Sequence, residues 1–235
     1  MKAVLFDMDG TLLPMDQDIF VREYFGAMSK KMSAFGYEPK TLVDAIWMGT
    51  AAMVKNDGKN SNAEVFWEVM KQKFGERVTD DIKHFDAFYE NEFLGLKKFC
   101  GYDPLVGDVV KKLKAAGKTV VLASNPIFPT VGQKNRVRFA GVDPELFDYV
   151  TAYENSHYCK PNPDYYREIF SIIGINAEDC LMVGNDVQED MIAKTLGAEV
   201  FLIEGCVLNR DGTDINEFPH GSFADLSAYI AERMD

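Results

Sequence analysis

Val4-Leu5-Phe6-Asp7-Met8-Asp9-Gly10-Thr11 is a short apolar run that stops at two carboxylates one residue apart. The run is long enough for one buried strand and no more. Asp and Gly behind it are turn formers, so both acids belong to the loop that leaves the strand. The next comparable β-branched run comes only at residues 119–123, and most of the interval carries helical spacing. Phe20, Tyr24, Met28, Met32 and Phe35 recur every three or four positions and share one helix face. Leu42, Val43, Ile46 and Trp47 repeat the pattern after Pro39. Ser61 and Glu64 form a capping box ahead of Val65, Phe66, Val69 and Met70. Thr79 opens a fourth helix, with Asp80 and Asp81 suited to its positive end. The reading is an all-helical insertion over residues 16–97, with residues 55–60 as a mobile polar loop. The flanking residues, 1–15 and 98–235, form a separate α/β unit.

From Pro104 onward helix and strand alternate. A helix stopped by Gly117 feeds the strand at 119–123, which ends at Ser124-Asn125. A helix at 129–140 leads to a strand at 149–151, and a helix at 163–173 leads to a strand at 180–183. A last helix stopped by Gly197 precedes the strand at 199–203. Such alternation indicates a Rossmann-like parallel sheet covered by helices on both faces.

Composition sets the outer bounds. With 235 residues the chain buries a core without staples, and at 47% hydrophobic and 26% charged it is neither disordered nor fibrous. A net charge of −12 disfavours nucleic acid and anionic membrane as partners. The apolar start ends at Asp7, too soon for a signal peptide or a span. Cys100, Cys159, Cys180 and Cys206 contain no CxxC pair, which suits a reduced, cytoplasmic setting.

Open parallel sheets gather ligands beyond the carboxyl ends of their strands. There this chain has Asp7 and Asp9 after the first strand and Ser124-Asn125 after the second. Lys160-Pro161 comes after the third, and Asp186 and Asp190 after the fourth. Carboxylates offer hard oxygen ligands for Mg²⁺, while a hydroxyl and a lysine suit phosphate oxygens; together they compose a metal-assisted phosphoryl site.

These four segments, in this order, resemble the motifs of the haloacid dehalogenase-like (HAD) superfamily, in the branch with a helical (C1-type) cap inserted after the first motif. The resemblance covers the whole chain and implies a HAD-like core of residues 1–15 and 98–235 with a cap of residues 16–97. It implies Asp7 as nucleophile and Asp9 as acid and base. Mg²⁺ would be held by Asp7, Asp9 (through its carbonyl) and Asp186. Ser124, Asn125 and Lys160 would bind phosphate oxygens, Gly10 would let the backbone approach them, and Asp190 would steer Lys160 from behind. The implied activity is a phosphatase acting on a small phosphorylated metabolite through an aspartyl phosphate, as monomer or dimer. Asp9 argues against dehalogenation, which does not need it. A sugar phosphomutase uses the same residues, although Thr11 favours hydrolysis. A phospho-aspartate receiver has a similar acidic pocket, but its acceptor comes after a third strand and it lacks a cap. Arg22, Lys55 and Lys59 are the cap cations expected to meet a leaving group.

Overall fold

A computed structural model describes residues 1–233. The first strand, β1 (Ala3–Phe6), is followed by four helices, α1 (Gln17–Ser33), α2 (Pro39–Val54), α3 (Asn62–Phe74) and α4 (Arg77–Glu90), and a 3₁₀ segment at Glu92–Phe99. Then come α5 (Pro104–Ala115), β2 (Thr119–Leu122), α6 (Thr130–Phe139), β3 (Tyr149–Val150), α7 (Pro163–Ile173), β4 (Cys180–Gly184), β5 (Glu199–Ile203), β6 (His220–Gly221) and α8 (Phe223–Ala231). The strands form one parallel sheet in the order β3-β2-β1-β4-β5-β6. The chain builds outward from β1 first on one side and then on the other. The carboxyl end of β1 is therefore the place where neighbouring crossovers diverge and leave a crevice.

Local chemistry explains most element ends. Ser61 caps α3 through a capping box with Glu64. Pro39 sits at the start of α2, and the Glu38 carboxylate accepts from the Lys40 and Thr41 amides. Gly174 stops α7 in the left-handed conformation. Two expectations shift. Helix α4 begins at Arg77 rather than Thr79 and has no side-chain cap. The helix expected before Gly197 is a 3₁₀ segment, Met191–Leu196, because the Asp190 side chain is drawn back to the end of β4 instead of capping it.

Successive strand residues face opposite sides, and two apolar clusters result. Ala3, Leu5, Met182 and Leu202 pack with Tyr165, Tyr166 and Ile169 of α7. Val4, Phe6, Leu122 and Val183 face the other way, into a cluster that continues without a break into Phe20, Tyr24, Phe66, Phe88 and Phe93 of the helical layer. The loop at 55–61 is tied down at its end. The Asn62 amide donates to Ser156 O (2.9 Å) and the Ala63 amide to Tyr153 O (2.7 Å). Buried Asn62 also reaches Pro126 O at 3.4 Å. No helix among the described residues is long and apolar enough to cross a membrane, and all four cysteines are free.

Candidate active site

The turn after β1 folds back through Gly10, whose amide donates to Leu13 O (2.9 Å) at a φ of 85°. A Cβ at this position would strike the Asn185 side chain. Glycine here serves the packing of Asn185, which in turn accepts from Thr11 Oγ1 at 2.9 Å. The turn leaves Asp7 and Asp9 facing one crevice, and the loops after β2, β3 and β4 bring the remaining groups to it.

Lys160 is the centre of charge. Its Nζ, 1% exposed, donates to Asp7 Oδ1 at 2.9 Å and to Asp190 Oδ1 at 2.6 Å. Burial pulls its pKa down, but the Asp190 and Asp7 charges outweigh that and hold it well above the ordinary lysine value. Burial pushes the Asp190 carboxyl up, to about 7, against the pull of the Lys160 ammonium. The other Asp190 oxygen accepts from the Asn185 (3.0 Å) and Asp186 (2.9 Å) amides, fixing the loop after β4. This approach requires Gly184, where a Cβ would overlap the Asp190 carboxylate. Gly184→Ala is expected to destabilise the protein by about 2 kcal/mol, the cost of overpacking a rigid site. In a chain of this size that lowers Tm by about 4–8 °C in a thermal melt. An unchanged Tm would mean that Asp190 has room to retreat.

Asp9 stands differently. Its Oδ2 pairs with Arg136 at 3.2 Å, while its Oδ1 is buried without a hydrogen-bond partner. Burial raises its carboxyl above the usual range, with the Asp7 charge adding to the effect and Arg136 opposing it. Arg136 is itself 1% exposed, donates to Ser124 Oγ at 2.8 Å and lies 4.7 Å from the Phe128 ring centre. Ser124 thus accepts from Arg136 and keeps its own O–H for a ligand. Asn125 Oδ1 accepts from the Lys160 amide at 3.2 Å, and its Nδ2 donates to Glu189 at 3.2 Å.

Asp186, also buried, meets the Arg210 guanidinium through both oxygens, at 2.8 and 3.1 Å. Arg210 arrives on the loop after β5, which is zipped to the loop after β4 by Leu208 N→Asn185 O and Val187 N→Leu208 O (both 2.9 Å). All the residues expected at the strand ends therefore meet in one crevice. Arg136, Arg210, Asn185 and Glu189 join them unforeseen. The only trace of Arg136 in the sequence is indirect: α6 lacks an apolar stripe, so a helix packed in the interior must bury polar groups. Arg22, Lys55 and Lys59 do not line the crevice. Arg22 pairs with Glu23 and Lys59 with Asp57 at the surface.

A family model described as haloacid dehalogenase-like hydrolase matches residues 1–194. The chain belongs to the haloacid dehalogenase-like hydrolases. Among curated relatives of this hydrolase is a phosphoglycolate phosphatase of Aquifex aeolicus (strain VF5), 24% identical over 208 residues, covering 86% of this chain and 84% of the relative. The fold matches a 2-haloacid dehalogenase from Pseudomonas syringae pv. Tomato DC3000 (TM-score 0.61, 17% identity, 99% of both chains). It also matches a HAD phosphatase from Thermococcus onnurineus (TM-score 0.58, 16% identity, 98% of both chains).

Proposed function

We propose that this hydrolase is a Mg²⁺-dependent phosphatase of a small phosphorylated molecule, acting in the cytoplasm through an aspartyl phosphate on Asp7. The observation that carries the reading is the unequal treatment of two carboxylates in one turn. Asp7 is held by the Lys160 ammonium, whereas burial raises the Asp9 carboxyl and leaves its Oδ1 without a hydrogen-bond partner on the chain. Two carboxyls in such unlike surroundings suit the division into a nucleophile and a proton carrier. A dehalogenase has no task for the second. The Aquifex relative's name points the same way.

In this reading Asp7 attacks phosphorus while Asp9 gives its proton to the departing oxygen, then takes one from the water that releases phosphate. Ser124 donates its O–H to a phosphoryl oxygen, and Lys160 offsets the repulsion between that group and the carboxylates. Residues 16–97 act as a cap on a core of residues 1–15 and 98–235, shielding the reaction from water. Asp7, the carbonyl of Asp9 and Asp186 are the residues that would hold Mg²⁺, which supplies charge neutralisation on the phosphoryl oxygens when bound. The donor set fits a hard cation, being carboxylate and carbonyl oxygen. Asp186 is paired with Arg210, whose side chain is 54% exposed.

Phosphate release from p-nitrophenyl phosphate with Mg²⁺, lost on adding EDTA, is the expected result. A single labelling event on Asp7 without turnover would instead favour a receiver. Asp186→Ala is expected to weaken Mg²⁺ binding about tenfold or more, as measured by calorimetric titration, because it removes an anionic oxygen donor. An unchanged affinity would remove Asp186 from the ligand set.

A further inference from the structure

The crevice at Asp7 and Asp9 and the space that continues from it between α1, α2, α3 and α4 form one cavity of about 270 Å³. Its walls are aromatic: Phe20, Phe25, Trp47, Phe66, Trp67 and Phe85 surround the space opposite the carboxylates. Most polar atoms among them already have a partner within the protein, which leaves two tyrosine O–H groups, one of the Tyr24–Tyr89 pair and that of Tyr153, as the donors still free. The hydroxyls of Tyr24 and Tyr89 bond each other at 2.8 Å, Trp67 Nε1 donates to Tyr153 Oη at 3.4 Å, and Thr50 Oγ1 donates to Ile46 O at 2.9 Å. The helical layer contributes no charged side chain to the lining, and its exposed amide, Gln17, sits at the rim. The two lining cations, Arg136 and Arg210, are paired with Asp9 and Asp186. Trp47 is 51% exposed beside this space, with its ring centre 5.3 Å from that of Phe25.

We propose that the cavity selects an aryl or arylalkyl leaving group, so that the substrate is the phosphate monoester of an aromatic alcohol. This rests on the phosphatase reading of the site and narrows it. A carboxylate, as in phosphoglycolate, or the several hydroxyls of a sugar would lose more hydrogen bonds to water here than two tyrosine O–H groups return, which is costly. An aromatic ring finds edge and face contacts on several sides. A cavity of about 150 Å³ already takes a benzene, so 270 Å³ shared with the phosphoryl group accommodates an aromatic leaving group beside it. Hydrolysis forms the Asp7 Oδ–P bond, breaks P–O(aryl) with the proton from Asp9 going to the aryl oxygen, and returns Asp7 by attack of one water.

The test compares kcat/KM for 1-naphthyl phosphate, phosphoglycolate, glucose 6-phosphate and acetyl phosphate, with Mg²⁺. Naphthyl phosphate is expected to exceed phosphoglycolate and glucose 6-phosphate by about a hundredfold, the scale of discrimination by an apolar pocket. Trp47→Ala, at a half-exposed position that tolerates truncation, is expected to lower the naphthyl-to-acetyl ratio about tenfold, through lost apolar contact. Phe25→Ala serves as a second variant. Turnover of phosphoglycolate or glucose 6-phosphate as fast as naphthyl phosphate, with a ratio unmoved in both variants, overturns the aromatic assignment while leaving the phosphatase standing. Absence of Mg²⁺-dependent release from all four compounds, acetyl phosphate included, overturns the phosphatase reading. The cavity is then judged by calorimetry on Asp7→Asn. Tighter binding of 1-naphthyl phosphate than of phosphoglycolate upholds its aryl preference, and equal binding rejects it.

Discussion

Asp7→Asn abolishes turnover, with kcat falling below about a hundredth of wild type, because an amide neither attacks phosphorus nor carries the charge a cation needs. The fold is expected to survive. The carbonyl oxygen of the substituted amide still accepts from Lys160, and Lys160 keeps its shorter bond to Asp190, 2.6 Å against 2.9 Å for Asp7. Steady-state assay alongside a thermal melt separates the two effects. A folded variant retaining more than that residual rate would require a different nucleophile.

Asp9→Asn affects the two chemical steps unequally. Its backbone carbonyl remains, and p-nitrophenolate departs without a proton, so phosphorylation of Asp7 proceeds. Hydrolysis of the aspartyl phosphate still needs a base, and a positioned base is worth about a hundredfold to ten-thousandfold. Rapid mixing with p-nitrophenyl phosphate is expected to show a burst near one equivalent of enzyme, followed by a slow steady rate. An alkyl phosphate, whose leaving group must be protonated, shows none. Steady turnover near wild type with no burst would take the acid–base role away from Asp9.

The sheet and the contents of the crevice were legible because both depend on short-range rules. Strands such as β4 and β5 are unbroken apolar runs between turn residues, and a parallel sheet sends every strand end to one edge. The few residues just past β1, β2 and β4 were therefore enough to name Asp7, Asp9, Ser124, Asn125, Asp186 and Asp190, and the longer loop after β3 supplied Lys160. β6 is two residues long and includes Gly221, so it has no pattern to detect. Arg136 and Arg210 were hidden because their importance comes from a long side chain reaching across the fold, which residue spacing does not encode. The cap cations failed for a related reason. Arg22 lies one residue from Val21, which lines the cavity, but neighbours on a helix point about a hundred degrees apart. Aromatic periodicity in α1–α4 marked packing correctly. The same rings nevertheless leave a space between them, and no one-dimensional pattern distinguishes a filled interior from a lined one.

The fastening at the start of α3 has a consequence for watching the molecule move. The amides of Asn62 and Ala63 point out of their own helix and bond carbonyls at Ser156 and Tyr153, a few residues before Lys160. Solvent deuterium reaches those two positions only when the start of α3 parts from that segment. Their exchange rates are accordingly a built-in gauge of how often the start of α3 leaves that segment, readable in the unlabelled wild-type protein before any substrate is known.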